Sequence, residues 1–356
     1  MTVDNYLKVP FPFSKKAYLA IFFATVLGAF STSVAQEQHE SEITNENVGA
    51  GGKLNISEVI VEHVLDNHVW HFVDGHYGTL YLPVIVYSPE RGLDTFSSGN
   101  FFDEHHKPVE YNGYTLEHQK IYLGGIPVLD FSITKNVAML FINASLLFIV
   151  MISVARAYTR NSGRAPKGLQ SFIEPVVVFI RDGVVKPNIG PKYERYLPYL
   201  LTLFFFILFG NLLGLLPGAA NLTGNIAVTL TLAVFTFIIT NVSGNKAYWS
   251  HILWTPGVPL PLRIIILPVE IISIFTKPFS LTIRLFAAIT AGHIVLLSLL
   301  GLTFVFESWW VGFGSSIFVL FISLIELLVA GIQAYVFTLF TSLYIGMAVV
   351  EHEKGH

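Results

Sequence analysis

Two apolar runs of unusual length, near residues 264–301 and 310–350, dominate the second half of the chain. About 20 helical residues cross a hydrocarbon core roughly 30 Å thick, whereas about 38 residues make a helix near 57 Å long. Such helices must tilt steeply, bend or break in a membrane, and Pro268 and Pro278 offer bend points in the first run. A helix lying obliquely in the membrane presents a long lateral face to a partner.

Three further apolar runs, near 137–156, 197–216 and 226–243, bring the predicted number of membrane spans to five. The composition agrees, because 53% of the residues are hydrophobic and 13% are charged, against roughly 25% charged in soluble chains. The sequence therefore predicts an all-α integral membrane protein. A net charge of -3 argues against nucleic acid as a partner. The absence of cysteine excludes disulfides, thiolate zinc sites, iron–sulfur clusters and a cysteine nucleophile.

Positive charges in the connections predict the topology. They follow the first and third spans, at Arg156, Arg160, Arg164, Lys167, Lys246 and Arg263. The connections at 217–225 and 301–309 contain neither lysine nor arginine. By the positive-inside rule, the N-terminal region lies outside and the C-terminus inside. Residues 169–185 are too polar to cross, and we expect an amphipathic helix along the cytoplasmic face.

The first 35 residues have the order of a secretory signal peptide. Lys8, Lys15 and Lys16 precede an apolar run at 17–30, and the small residues Ser33 and Ala35 follow it. We predict cleavage after Ala35; the alternative is an uncleaved first membrane span.

Residues 36–130 are predicted to form a periplasmic linker and a small outer domain. Residues 36–57 are rich in Glu, Asn and Gly, which is typical of a flexible linker. The runs 69–73 and 79–87 have strand composition. Eight histidines occur in this region: His39, His63, His68, His71, His76, His105, His106 and His118. They are either metal ligands or structural and solvated histidines; their spacing favours the second interpretation, and we predict no metal site.

Few charged residues occur in the four spans after residue 197. Between Leu197 and Val350 they are Lys246, Arg263, Glu270, Lys277, Arg284, Glu307 and Glu326. An ionisable group in a span is a functional candidate by default. Arg284 has no acidic neighbour within a helical turn, so its charge must be answered by another element or chain. The alternative is a structural salt bridge within the bundle, for instance to Glu326.

Four of these residues recur every seven positions, at 263, 270, 277 and 284, and would form one polar stripe along a continuous helix. This stripe indicates a wet crevice or a docking surface. The alternative for Arg263 and Lys277 is that they are interfacial residues whose ammonium or guanidinium groups reach the headgroups.

A second set of polar residues lies nearer the outer side. Glu326 and Gln333 are seven residues apart and share a helix face, and His293 follows Arg284 by nine residues, near the opposite face. If the last two spans form an antiparallel hairpin, His293 and Glu326 lie at intermediate depth and can serve as proton-transfer stations. Each alone could instead be a packing hydrogen bond.

Three segments together resemble subunit a of the F-type ATP synthase. They are Asn211-Leu212-Leu213-Gly214-Leu215-Leu216-Pro217; then Lys277-Pro278-Phe279-Ser280-Leu281 with Arg284-Leu285-Phe286 and Ala291-Gly292; and finally Gln333-Ala334-Tyr335-Val336-Phe337 with Tyr344-Ile345-Gly346-Met347-Ala348. The resemblance covers residues 132–352, in order and with matching spacing. The outer domain is not part of the common family pattern.

The resemblance implies a role for each matching residue. Arg284 would be the stator arginine that faces the carboxylate of each passing c subunit. The inner half-channel would contain Glu270, Lys277 and Ser280, and the outer one Asn211, His293, Glu326 and Gln333. Many bacterial members have an acid at the position of His293 and a histidine at the position of Glu326. In this sequence the two are exchanged, as in the mitochondrial form. The chain also departs from many members at Ala288 and from some at Gly214.

The resemblance further implies a proton-translocating stator subunit without a cofactor, in a bacterial inner membrane. Its partners would be the c-subunit ring, the peripheral-stalk b subunits, the remaining ATP synthase subunits and the lipid bilayer. No nucleotide motif is present, so catalysis would belong to partner subunits. The sequence leaves sodium open as the coupling ion. A secondary transporter would instead predict internal repeats with broken helices, and a membrane scaffold would not need Arg284, Glu326 and His293 at depth.

Overall fold

The computed structural model describes residues 66–71, 79–103, 109–117, 120–160, 165–216, 219–253, 260–306 and 309–349. The predicted signal peptide and linker lie outside these residues. So do all the histidines of the outer region except His68 and the backbone of His71.

The outer region contains short antiparallel strands, which confirms the strand prediction. The strands are β1 Val69–His71, β2 Thr79–Tyr81, β3 Pro83–Ser88, β4 Gly92–Ser97, β5 Tyr114–Glu117, β6 Lys120–Leu123, β7 Ile126–Pro127 and β8 Leu129–Asp130. They pair as β1-β2, β4-β3-β8 and β5-β6-β7. Alternate residues of β3 point inward, so Val84 and Val86 pack with Phe101, Tyr114 and Ile121 in a small core.

Eight α-helices follow within the described residues. They are α1 Lys135–Arg160, α2 Leu169–Phe179, α3 Lys186–Ile189, α4 Tyr193–Gly214, α5 Ile226–Val242, α6 Lys246–Leu253, α7 Leu260–Phe306 and α8 Trp309–Val349. A π-helix, Ile180–Val185, joins α2 to α3, and Gly190 with φ 71° then turns the chain into α4. Asn225 caps α5 by accepting a hydrogen bond from the Ala227 amide at 2.8 Å.

Four stretches are long and apolar enough to cross a membrane, namely Lys135–Arg160, Leu169–Gly214, Ile265–Gly301 and Gly312–Val349. The 17-residue α5 passes the same test only together with α6, to which it is bent by 107°. The prediction of about five membrane helices is therefore confirmed. Residues 169–179 form the expected helix; their location along the cytoplasmic face stays a prediction.

The last two helices form the predicted antiparallel hairpin. Lys277 of α7 lies against Tyr344 of α8, and further along α7 His293 lies against Glu326. The 47-residue α7 stays helical through Pro268 and Pro278. Only 11% of the α7 span and 17% of the α8 span are buried, against 39% for α1. The hairpin therefore exposes a long apolar surface.

The outer region continues into α1 without a free linker. The amides of Phe131 and Ile133 donate to carbonyls of β3, and the Lys135 amide donates to the Asn67 carbonyl at 2.9 Å. Asp66 accepts from the Thr134 hydroxyl at 2.7 Å and from the Asn136 amide at 3.0 Å, so its carboxylate covers the N-terminus of α1. Burial raises the pKa of Asp66 despite these bonds.

Candidate functional site

An acid and an imidazole meet inside the hairpin. The Nδ1 atom of His293 on α7 lies 3.8 Å from the Oε1 atom of Glu326 on α8, and Glu326 is 4% exposed. Neither carboxylate oxygen of Glu326 has a hydrogen-bond partner among the described residues. The structure thus brings together two residues that the sequence placed on separate spans.

Gly292 makes room for this carboxylate. A Cβ atom at position 292 would lie 3.2 Å from Glu326 Oε1. This spacing is tighter than most Cβ contacts, so a larger residue would push the carboxylate aside. The close approach of Glu326 therefore explains why a glycine suits this position of the Ala291-Gly292 segment.

Asn211 joins α4 to the same part of α8. Its Nδ2 atom donates to the Ala330 carbonyl at 3.1 Å, and its Oδ1 atom accepts from the Thr223 hydroxyl at 2.6 Å. Ala330 lies one helical turn beyond Glu326, and the half-buried Gln333 lies seven residues beyond Glu326. Asn211, Glu326 and Gln333 are therefore neighbours along one side of α8.

Arg284 lies further along the hairpin, away from that group. Its guanidinium carbon sits 4.2 Å from the centroid of the Phe340 ring, and its Nη2 atom donates to the Ser280 hydroxyl at 3.4 Å. The Nη1 atom is buried and has no hydrogen-bond partner in the described part of the chain. Because Glu326 lies against His293 instead, the alternative of an Arg284–Glu326 salt bridge is not formed.

A second acid–imidazole pair occupies the opposite end of α7. The Nδ1 atom of His251 on α6 lies 3.9 Å from the Oε1 atom of Glu270, and both side chains are partly exposed. Lys277 is seven residues beyond Glu270, and its Nζ atom lies 5.5 Å from the centroid of the Tyr344 ring. Glu270, Lys277 and Arg284 therefore follow one another along α7, as the seven-residue spacing predicts. The side chain of Arg263 is outside the described set.

Two residues of this site were not predicted from the sequence. His251 lies in a short helix between spans, where a single histidine in the sequence does not indicate a functional site. Thr223 lies in an apolar connection, and only its contact with Asn211 distinguishes it from other threonines. In the described ranges no group of three or more His, Cys, Asp or Glu residues could hold a metal ion.

Arg284 lies on α7 between two acid–imidazole pairs. Glu270 and His293 are 23 residues apart on α7, which corresponds to about 34 Å along the helix. Arg284 lies between them and stays protonated at any physiological pH. A carboxylate or an imidazole can take up and release a proton, whereas the Arg284 guanidinium can attract a carboxylate but cannot pass a proton onward.

Comparison with known proteins covers both parts of the chain. Residues 137–346 match the family model described as ATP synthase A chain. Residues 59–126 match a separate model that is described only as a domain of unknown function. The outer region thus matches a model different from that of the membrane region.

Several relatives are similar over long stretches. ATP synthase subunit a 2 of Prosthecochloris aestuarii is 40% identical over 95% of this chain and 93% of its own length. ATP synthase subunit a of Chloroherpeton thalassium is 49% identical over 66% of this chain and 71% of its own length. ATP synthase subunit a 2 of Chlorobium luteolum is 38% identical over 100% of this chain and 92% of its own length. Together with the hairpin, these matches show that the chain belongs to the ATP synthase A chain family.

Proposed function

We propose that this protein is the proton-translocating stator subunit of an F-type ATP synthase. It would supply two offset half-channels and one fixed arginine to a rotating ring of c subunits. Family membership supports a component of the membrane sector. The arrangement of charged side chains supports the half-channels and the fixed arginine.

The outer half-channel would contain His293, Glu326, Gln333 and Asn211. The His293–Glu326 pair lies at the end of the bundle where the outer domain packs, so an acid and an imidazole would stand on the route of an entering proton. A proton arriving here would pass to a carboxylate of the ring. A protonated carboxyl group can then face lipid at far lower cost than a charged one.

Arg284 carries the proposal. It is the cation between the two acid–imidazole pairs, and its buried Nη1 atom has no hydrogen-bond partner in the described residues. The Phe340 ring and the Ser280 hydroxyl orient it without neutralising its charge. It would favour the ionised form of each ring carboxylate as it passes, so a proton must leave before the carboxylate reaches it. This requirement prevents a direct leak from one half-channel to the other.

The inner half-channel would run along Glu270, Lys277 and Ser280. The partly exposed Glu270 lies next to His251, which adds a second proton acceptor at that end. Protons released from the ring would leave here. Ion flow through the two separated half-channels would thereby become rotation of the ring.

The remaining expectations concern the surroundings of the subunit. Exposed apolar side chains on α7 and α8 suit contact with lipid and with the ring. We expect the peripheral-stalk b subunits and the other ATP synthase subunits as further partners. The bacterial inner membrane, a periplasmic outer domain, a cytoplasmic C-terminus and a cleaved signal peptide complete the proposal.

The test is ATP-driven acidification of inverted vesicles that carry the assembled complex. We expect Arg284→Ala to abolish acidification while ATP hydrolysis by the detached catalytic head persists. Arg160→Ala, which removes an exposed arginine at the end of α1, should pump like the wild type. Normal acidification by Arg284→Ala would refute the stator role. Sodium uptake in place of acidification in the wild type would make sodium the coupling ion.

A further inference from the structure

Residues 219–225, here called the α4–α5 connection, contact the hairpin near the His293–Glu326 pair. Its Thr223 is completely buried, and the hydroxyl donates to Asn211 Oδ1 at 2.6 Å. The other side of the Asn211 amide faces the Ala330 carbonyl, which can only accept. The amide therefore has one satisfactory orientation, and Thr223 completes its hydrogen bonding.

The same connection touches both helices of the hairpin near the acid site. Through Asn211 it reaches Ala330, one turn from Glu326 on α8. On α7, the Thr290 hydroxyl donates to the Gly224 carbonyl at 3.5 Å, three residues before His293. A shift of this connection would therefore move the parts of α7 and α8 that carry His293 and Glu326.

The connection is itself stiff. The Asn221 side chain accepts from the Gly224 amide at 3.1 Å, and Asn225 caps α5. A Cβ at Gly224 would lie 2.7 Å from Asn221 Nδ2, so the two residues are in close contact. The position of Thr223 is therefore set by the connection as a unit.

The outer domain packs on this connection. Trp70 of β1 and Leu82, which precedes β3, belong to one buried apolar cluster with Ala220 and Leu222. Met139 and Leu140 of α1 and Val228 of α5 also belong to the cluster. Trp70 and Leu82 are 4% and 5% exposed, so the contact excludes water. Leu222 is adjacent in the chain to Thr223, which links the domain directly to the Asn211 contact.

We propose that the outer domain positions the outer half-channel. Trp70 and Leu82 hold the α4–α5 connection in place, and Thr223 acts through Asn211 to fix α4 against α8 beside Glu326. Thr223 is thus a positioning residue, and the outer domain has a mechanical role in proton entry. This inference rests on the proposed function.

The experiment measures ATP synthesis by inverted vesicles carrying the whole complex, at several lumen pH values and a fixed external pH. The lumen faces the outer half-channel, where the titratable groups are Glu326 and His293. Thr223→Val keeps the shape of the side chain but removes the hydroxyl. We expect it to raise the lumen proton concentration needed for half-maximal synthesis about five- to tenfold. The dependence on external pH should stay unchanged.

Matched variants separate positioning from general damage. Thr223→Ser should restore the wild-type dependence, because the hydroxyl is kept. Thr229→Val removes an equally buried hydroxyl that donates only to the backbone carbonyls of Asn225 and Ile226 at the start of α5, and it should leave the lumen pH dependence unchanged. Trp70→Ala should shift the dependence about two- to threefold in the direction of Thr223→Val. Leu93→Ala, at a 64% exposed position of the outer domain, should not.

The outcomes are distinguishable from failure of the proposed function. If Arg284→Ala abolishes pumping but Thr223→Val and Trp70→Ala both keep the wild-type lumen pH dependence, the positioning role is wrong and the stator role stands. An equal shift in Thr229→Val would also overturn it. Should Thr223→Val fail to assemble, Trp70→Ala and Thr223→Ser carry the test. If Arg284→Ala pumps normally, both proposals fall.

Discussion

At the scale of single residues, the hairpin keeps one charge oriented without cancelling it. Phe340 offers its ring face to Arg284, and Ser280 offers a hydroxyl, but neither is an anion. A cation–π contact contributes about 1–2 kcal/mol and leaves the net charge in place. The charge of Arg284 is therefore not neutralised by the described residues.

The small size of Gly292 should be important for proton pumping, because this residue faces the Glu326 carboxylate. Gly292→Ala brings a Cβ to 3.2 Å from Glu326 Oε1, so the carboxylate must shift away from its position beside His293. We expect ATP-driven vesicle acidification to slow about three- to tenfold, because small misplacement of a reacting group is costly. Assembly of the complex should be unaffected.

Gly314→Ala is the matched control, since a Cβ there meets nothing within 4 Å. Equal pumping by Gly292→Ala and the wild type would mean that the position of the Glu326 carboxylate is not critical. If both glycine variants pump equally slowly, the loss of a glycine from the helix, and not contact with Glu326, would be the cause.

At the scale of elements, the end of α8 is held by an irregular part of the chain. The π-helix and α3 run beside it, with the Ser342 hydroxyl donating to the Val184 carbonyl at 3.4 Å. A Cβ at Gly346 would overlap the Asn188 carbonyl oxygen. The glycine of the Tyr344-Ile345-Gly346 segment thus permits backbone contact between α8 and α3, and the resemblance alone gave no reason for it.

Gly346→Ala should weaken this packing. The overlapping atom belongs to the backbone, which cannot move aside as a flexible side chain can, so we expect about 1–3 kcal/mol of destabilisation. The measurement is the midpoint of thermal unfolding of the purified complex in detergent. Gly331→Ala, also on α8 but facing open space, should leave the midpoint unchanged. A wild-type midpoint for Gly346→Ala would contradict the close approach.

At the scale of the whole molecule, the outer domain and the membrane region share one buried junction. Asp130 of β8 lies 2.7 Å from His68, which is almost completely buried, and Asp66 covers the start of α1 nearby. Burial alone would raise the pKa of Asp130, but the hydrogen bond and charge of His68, with the bonds from Ser132, hold it below its usual value.

The junction should therefore loosen in acid. A lowered pKa stabilises the folded state fully above the unfolded value of about 3.9, and this stabilisation is lost as the pH falls through the lower folded value. At neutral pH we expect Asp130→Asn to be less stable by about 1–3 kcal/mol, measured by thermal unfolding followed through tryptophan fluorescence. The difference from the wild type should shrink below about pH 4.

The comparison isolates Asp130, because Asp66 titrates in both proteins. Glu90→Gln removes an exposed acid of the outer domain and should follow the wild-type pH profile. A constant gap between Asp130→Asn and the wild type at every pH would show that the loss is steric.

The sequence by itself determined the membrane class, the long hairpin and the family. These features depend on local apolar runs, on the seven-residue spacing from Glu270 to Arg284, and on short segments around Arg284 and Gln333. The side chains that line the hairpin were predicted for the same reason, since an ionisable residue in an apolar run is conspicuous.

Only the tertiary structure decided which of these residues meet. The approach of His293 to Glu326, of His251 to Glu270 and of Thr223 to Asn211 joins residues between 12 and 33 positions apart, on different elements. The docking of Trp70 near Leu222 spans a still longer stretch of chain. Helical periodicity relates residues within one helix, whereas the contacts between helices depend on how side chains pack across them.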